Sequence, residues 1–221
     1  CRESVTYTVR RNNIEVTASH RFCNAAPVTI AIYYGMQSMF EGETHVLTPG
    51  GAYTDWTEVA KASTFTKQEH PLFRRYVEKN RQGYQSTWLL PDGLGDHALL
   101  DGQDDIFIYA PYGKSYHKLI GNKRMENGDK TCWRGVYTWF ETPIADDADL
   151  LCYEGSVGGH TAVFIDCKRA CKRTLALPGY LDLRHFGTAE QNSGIRISAA
   201  GRNKLKIKAG APGSCVLLLR E

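Results

Sequence analysis

Residues 14–40 read IEVTASHRFCNAAPVTIAIYYGMQSMF, and this stretch decides the fold class. Two strand-like runs, residues 14–18 and 28–34, flank a turn that contains Asn24 and Pro27. Apolar and polar residues alternate in the first run, while β-branched and aromatic residues fill the second, and both patterns are typical of strands. We therefore expect sheet rather than helix here, with residues 28–34 as a central strand.

The same strand pattern recurs along the rest of the chain, with Gly, Pro or Asn at most of the breaks. Residues 5–9 are predicted to form a hairpin with residues 14–18. Further predicted strands are residues 84–89, 106–109, 116–120, 135–141, 150–153, 161–166, 173–177, 194–199, 204–208 and 215–219. This regular spacing favours packed antiparallel sheets over alternating strands and helices.

One segment, residues 71–80, instead predicts a short helix. One helix face would carry Leu72, Phe73, Tyr76 and Val77, and Pro71 suits a first turn. Together these patterns predict an all-β protein in a single domain over residues 1–221. The expected architecture is a large antiparallel β-sandwich of the supersandwich or jelly-roll type, with two packed sheets and one short helix.

Composition excludes several classes of protein. Hydrophobic residues make up 42% of the 221 residues and charged residues 23%, so the chain can bury a core. Lys and Arg number 27 against 24 Asp and Glu, and the basic residues are dispersed, so we predict no nucleic-acid partner. No apolar run approaches the roughly 20 residues of a membrane helix, so we predict no transmembrane segment.

The chain begins at Cys1 and has seven cysteines, so at least one has no disulfide partner within the chain. A leading cysteine is typical of a lipoprotein after signal removal, although a boundary placed at that residue would look the same. The first interpretation predicts a lipid anchor at Cys1 and a secreted or cell-envelope protein. Cys132 and Cys152 are candidates to meet across a sheet, with buried free thiols as the alternative.

Residues 19–40 carry a resemblance to a known family. The run Ser19-His20-Arg21-Phe22, then Asn24, Pro27 and the run from Tyr34 to Phe40, resembles a segment of the galactose mutarotase-like β-sandwich superfamily, over about a tenth of the chain. The resemblance implies a large sandwich related to proteins that act on sugars. Gln37 stands where the family has its active-site histidine, and an amide can hydrogen-bond a hydroxyl but cannot carry a proton. Epimerase activity is therefore not expected.

Aromatic side chains are frequent and suit a sugar site, because flat rings stack on the C–H face of a pyranose. Tyr33, Tyr34, Tyr53 and Trp56 form one sequence cluster, and Trp133, Tyr137 and Trp139 form another. We predict that Trp56, which follows a Gly-rich turn, is the most exposed of these rings. The predicted carbohydrate contacts are Gln37, Tyr34, Trp56, Arg74 and His97.

Catalytic and metal-binding patterns are weaker in this sequence. His97 follows Asp96 in a Gly-containing loop and is a candidate proton carrier, but no nucleophile motif such as G-x-S-x-G is present. Two groups of aspartates, at residues 101–105 and 146–149, lack the pattern of a calcium loop, and turn capping is the preferred interpretation. We therefore predict no metal site and no cofactor.

These observations favour carbohydrate recognition or processing by an exported β-sandwich, as an accessory or non-epimerase protein. Two alternatives stay open at this point. One is a polysaccharide lyase or hydrolase that uses a histidine or tyrosine as proton carrier, and the other is a structural or protein-interaction domain.

Overall fold

The computed structural model describes residues 1–39, 42–58, 63–71, 73–90, 105–110, 113–191 and 194–219. Within these ranges the regular secondary structure consists of strands. They are β1 (Arg2–Arg10), β2 (Asn13–Arg21), β3 (Val28–Met39), β4 (His45–Leu47), β5 (Thr57–Glu58), β6 (Ser63–Thr66), β7 (Arg75–Asn80), β8 (Gly83–Leu89), β9 (Asp105–Ala110), β10 (Lys114–Met125), β11 (Lys130–Phe140), β12 (Ala145–Asp146), β13 (Leu150–Val157), β14 (His160–Cys167), β15 (Cys171–Ala176), β16 (Phe186–Gln191), β17 (Ile195–Ala199), β18 (Lys204–Ala209) and β19 (Gly213–Leu219).

The strands form four antiparallel sheets within the described residues. Sheet A has the order β1-β2-β11-β8-β7-β4-β5, and sheet B has the order β3-β10-β9-β6. Sheet C has the order β12-β13-β14-β19-β16, and sheet D has the order β15-β18-β17. The predicted all-β, antiparallel β-sandwich is confirmed, with four sheets in place of the two that the sequence suggested.

The buried side chains show that the sheets stack in the order B, A, C, D. Met36 and Leu119 of sheet B pack with Trp133 of sheet A in one core cluster. Trp88 of sheet A packs with Phe164 of sheet C in a second. The C–D interface holds residues of β14, β18 and β19 in another cluster. Sheets A and C therefore each lie between two other sheets, although β1 at the edge of sheet A is exposed along its whole length.

Two-sided burial explains why the inner strands are apolar at successive positions. In β13, Leu150 and Cys152 pack towards sheet D while Leu151 and Tyr153 pack towards sheet A, and all four are fully buried. Side chains alternate between faces in any strand, so a strand buried on both faces needs apolar residues at consecutive positions. Strand β18 belongs to sheet D, the last sheet of the stack, and shows simple alternation, with Leu205 and Ile207 buried between exposed lysines.

The predicted helix over residues 71–80 is wrong where the structure describes it. Arg75–Asn80 is strand β7, which pairs with β8 through the turn that ends at Gly83. Tyr76 and Val77 are neighbours in sequence but enter different core clusters, one on each face of sheet A. Because both faces of β7 are buried, adjacent positions are apolar, and this spacing is also typical of the buried face of a helix.

The expectation of a central strand at residues 28–34 is also wrong. This segment is part of β3, which forms the edge of sheet B and leaves Val28 and Ile32 exposed. The predicted N-terminal hairpin is confirmed, since β1 pairs with β2 from Arg2↔Arg21 to Arg10↔Asn13. Among the described residues no helix is long and apolar enough to cross a bilayer.

Candidate functional site

Two clefts open at one end of sheet A, on either side of the turn between β7 and β8. The first, here the Trp139 cleft, has a volume of about 720 Å³. The second, the Lys79 cleft, has a volume of about 630 Å³. Tyr84 lines both clefts, so they are neighbours.

The Trp139 cleft combines aromatic rings with amide side chains. Its lining residues are Asn12, Met39, Gln82, Tyr84, Gln85, Trp139, Phe140 and Glu141. Trp139 is 37% exposed, whereas most large apolar residues in the described part of the chain are buried. Trp139 and Gln85 are direct cross-strand partners in β11 and β8, so their side chains share one face of sheet A.

The backbone and ring of Trp139 are both held in place. Asn12 in the first hairpin turn accepts a backbone hydrogen bond from Trp139 (2.9 Å) and donates one from its amide Nδ2 to the Trp139 carbonyl (2.8 Å). The indole stacks on Tyr137, with ring centroids 5.9 Å apart. The hydroxyl of Tyr137 in turn accepts a hydrogen bond from the backbone N–H of Gln37 (3.0 Å).

Another part of the cleft lining is the outer end of an aromatic stack that continues into the core. Tyr84 stacks on Phe140 at 4.8 Å, Phe140 on Tyr153 at 4.3 Å, and Tyr153 on Phe164 at 4.8 Å. The last two rings are fully buried between sheets A and C. The wall formed by Tyr84 and Phe140 is therefore anchored on the interior packing.

Beside the clefts, Asp146 forms the centre of a polar cluster. Its carboxylate accepts hydrogen bonds from Trp56 Nε1 (2.9 Å), Lys79 Nζ (3.1 Å), Tyr84 Oη (3.0 Å) and Lys168 Nζ (2.8 Å). Burial alone would raise the pKa of Asp146, but these donors outweigh it and lower that pKa to about 2. Lys79 of β7 and Tyr84 of β8 join their strands to Asp146 of β12, while Trp56 and Lys168 bind the same carboxylate from the loops beside β5 and β14.

Three residues, one in the loop before β4, one in β4 and one in β5, could hold a metal ion. Glu43, His45 and Glu58 each place a ligand atom within 4.8 Å of the others. Glu43 and His45 also line the Lys79 cleft.

The sequence-predicted contacts are not gathered in these clefts. Tyr34 and Gln37 both lie on β3, where the Tyr34 ring packs on Tyr116 at 4.6 Å and Gln37 is exposed. Trp56 is half-buried against Asp146 rather than prominently exposed. Arg74 precedes β7 and donates a hydrogen bond to the carbonyl of Phe73. The remaining predicted contact, His97, lies outside the described residues.

The second aspartate group is part of an ion-pair network. Asp147 and Asp149 both bind Arg173, at 2.9 Å and 2.7 Å, which supports the structural interpretation over a calcium site. In the first group, Asp101 and Asp104 lie outside the described residues, and of Asp105 only the backbone is described.

The cysteines are all free thiols. Cys132 lies on β11 of sheet A and Cys152 on β13 of sheet C, so the two belong to different sheets. Cys152, Cys167 and Cys215 are buried between sheets C and D, and burial raises the pKa of each thiol. Cys1 is exposed. The buried thiols therefore act as small apolar residues of the core.

Comparison of the chain with protein-family models, with curated proteins and with solved structures found no match in any of the three. The resemblance of residues 19–40 to the galactose mutarotase-like superfamily accordingly stays a prediction.

Several residues of the Trp139 cleft were missed as site residues. Tyr137 and Trp139 were recognised as a sequence cluster, and their spacing of two residues in a strand is the signal that places both rings on one face. Asn12, Gln82 and Glu141 lie in turns or at strand ends, where polar residues are common, so no sequence pattern distinguishes them. Only the pairing of β11 with β2 on one side and with β8 on the other brings them together.

Proposed function

We propose that this protein recognises carbohydrate and that the Trp139 cleft is its binding site. The observation that carries the proposal is the exposed indole of Trp139 at a cleft whose other lining groups include three amides. A flat indole binds the apolar face of a sugar ring, and its immobilisation on Tyr137 reduces the entropy lost on binding.

The polar lining fits hydroxyl groups. The side chains of Gln82 and Gln85 each offer an amide oxygen and an amide nitrogen, so each can both accept and donate a hydrogen bond. Asn12 offers its amide oxygen, because its Nδ2 already donates to the Trp139 carbonyl. Sugar hydroxyls have the same double capacity. Because Gln85 is buried beside the exposed Trp139, the two provide a polar and an apolar contact on one face of the sheet.

The charges of the lining favour a neutral sugar. Among the described residues that line the Trp139 cleft there is no lysine or arginine, and Glu141 is the one carboxylate. A uronic acid or sulfated sugar would meet this negative charge without a cation to bind it. Glycoside hydrolysis commonly uses a pair of carboxyl groups across the scissile bond, so a lining with one carboxylate supports recognition over hydrolysis.

A glycan array followed by titration calorimetry tests this proposal. We expect the wild-type chain to bind neutral glycans in preference to acidic ones, and Trp139→Ala to weaken that binding at least about tenfold, equivalent to about 1.4 kcal/mol. Trp139→Phe should retain part of the affinity because it keeps a flat ring.

Tyr180→Ala is the matched control. Tyr180 is 72% exposed but is not among the residues that line the cleft, so this variant should bind as the wild type does. Equal affinities for the wild type and Trp139→Ala would contradict the proposed site. Absence of binding to any glycan on the array would contradict the function itself.

A further inference from the structure

We propose that Glu43, His45 and Glu58 form a binding site for one divalent transition-metal ion, with Zn²⁺ as the best fit. The proposal does not depend on carbohydrate recognition. It rests on how the short strands β4 and β5 place one imidazole and two carboxylates at the edge of sheet A.

The strand register explains why the three side chains meet. His45 and Glu58 are directly opposite each other in the antiparallel pair β4–β5, so their side chains leave the sheet on the same face. Glu43 precedes His45 by two residues and reaches the same place. One ligand atom from each of the three lies within 4.8 Å of the other two.

These distances are compatible with a bound metal after small side-chain movements. Bonds of about 2.1 Å in a tetrahedral zinc site place neighbouring ligand atoms about 3.4 Å apart. Glu43 and Glu58 are exposed, so their carboxylates are free to close the remaining distance. His45 is half-buried and belongs to a paired strand, which makes it the fixed ligand of the three.

The two negative charges of the group also favour a cation, although Lys79 and Arg81 line the same cleft. Two carboxylates this close to each other repel, and a divalent ion would remove the repulsion. Within the described part of the chain, no hydrogen bond or ion pair occupies the side chains of Glu43, His45 or Glu58. Lys79, the partner of His45 on the other side of β4, instead binds Asp146 at 3.1 Å and lies 4.2 Å from the centre of the Trp56 ring.

The ligand types indicate which ion would bind. Imidazole nitrogen is a good ligand for Zn²⁺ and neighbouring transition metals, whereas Ca²⁺ and Mg²⁺ prefer oxygen ligands alone. Three protein ligands leave a fourth tetrahedral position for water or another small ligand. Because Glu43 and His45 line the Lys79 cleft, that position would face the cleft.

Calorimetric titration with ZnCl₂ tests the site, in a variant where Cys1 and Cys23 are changed to Ser because exposed thiols also bind zinc. We expect one Zn²⁺ per chain. His45→Ala and Glu58→Gln in the same background should each weaken binding at least tenfold. His160→Ala, at an exposed histidine outside the group, should leave it unchanged.

A second readout identifies the ligand directly. Zinc should shift the ring ¹⁵N resonances of His45 in the NMR spectrum and leave those of His160 in place, and folding of each variant is checked by circular dichroism. Unchanged zinc affinity in folded His45→Ala or Glu58→Gln, or absence of saturable binding in the parent protein, would overturn the proposal. Neither result bears on glycan binding at the Trp139 cleft.

Discussion

The indole Nε1 of Trp56 donates a hydrogen bond to Asp146 Oδ1 at 2.9 Å, across 90 residues of sequence. The same carboxylate receives Lys168 Nζ at 2.8 Å. Trp56 therefore serves as a donor in a partly buried cluster. Trp139, from the second aromatic sequence cluster, is more exposed than Trp56.

Replacement of Asp146 by Asn should destabilise the protein by about 2 kcal/mol at neutral pH, because the carboxylate is held charged by its donors. Its pKa falls from 3.8 to about 2 on folding, so the stabilisation is present above the first value and is lost as the pH falls towards the second. Urea denaturation at several pH values measures this. The wild type should lose its advantage over Asp146→Asn between about pH 4 and pH 2; a difference that stays constant over this range would contradict the assigned pKa.

Buried His117 should make the protein less stable in mild acid. Burial first, and then the charge of Arg74, lowers the pKa of His117 from 6.5 to about 3, so the ring is neutral in the folded state. Protonation favours the unfolded state as the pH falls below 6.5, by about 2 kcal/mol at pH 5. His117→Phe removes the titrating group and keeps an aromatic ring in contact with Phe73 and Tyr76.

The measurement for His117 is the change in unfolding free energy between pH 7 and pH 5 for both proteins. The wild type should lose about 2 kcal/mol more than His117→Phe over this interval. The comparison uses the change with pH, so a packing defect in the variant does not affect it. Parallel pH profiles would show that His117 does not titrate in this way.

The buried ion pair of Arg75 and Asp166 should be costly to break and inexpensive to replace. The two side chains are 1% and 2% exposed and connect sheet A to sheet C. Arg75 Nε and Nη1 and Asp166 Oδ2 have no hydrogen-bond partner among the described residues, so the pair is incompletely satisfied. Arg75→Met should cost about 3–5 kcal/mol because it leaves a buried carboxylate alone.

A double-mutant cycle with Asp166→Leu checks this expectation. The double variant, with an apolar residue at both positions, should be more stable than Arg75→Met alone. Burial also raises the pKa of Asp166 to about 6 against the opposing effect of Arg75, and the carboxyl of Asp166 should protonate more readily once the arginine is absent. If the double variant is less stable than Arg75→Met and than Asp166→Leu, the pair is a net stabilising interaction and the prediction fails.

Gly135 should not tolerate a side chain. A Cβ there would overlap the side chain of Met36 and lie 3.0 Å from the carbonyl oxygen of Trp88. Gly135→Ala should therefore cost about 1–3 kcal/mol, measured by thermal or urea unfolding. Gly179→Ala is the control, since a Cβ at Gly179 meets no atom within 4 Å. Equal stability of the two variants would show that the A–B interface is loosely packed at Gly135.

The fold class was predictable because the side-chain alternation of β2, β18 and similar strands directly reflects burial on one face. The errors occurred where that relation does not hold. Tyr76 and Val77 were assigned to a helix because a strand buried on both faces has adjacent apolar residues. The edge position of β3 was missed because its β-branched residues suit either an edge or a central strand.

The clefts were harder to predict than the sheets. Asn12, Gln85 and Trp139 meet because β11 pairs with β2 on one side and with β8 on the other, and sequence alternation does not specify which strands pair. The predicted contacts Tyr34, Gln37, Trp56 and Arg74 were chosen from local context alone, and the structure distributes them over β3, the start of β5 and the start of β7. His45 and Glu58 were not predicted as site residues because only the pairing of β4 with β5 brings them together.

Strand β19 also constrains the order in which the molecule can assemble. It lies between β14 and β16 in sheet C and supplies Val216 to one core cluster and Leu217 to another. All other described strands precede it in the chain, so sheet C can close only after residues 213–219 have been synthesised. Until residues 213–219 emerge, β14 and β16 both lack the strand that lies between them, and an unpaired strand edge makes a partly folded chain prone to aggregation.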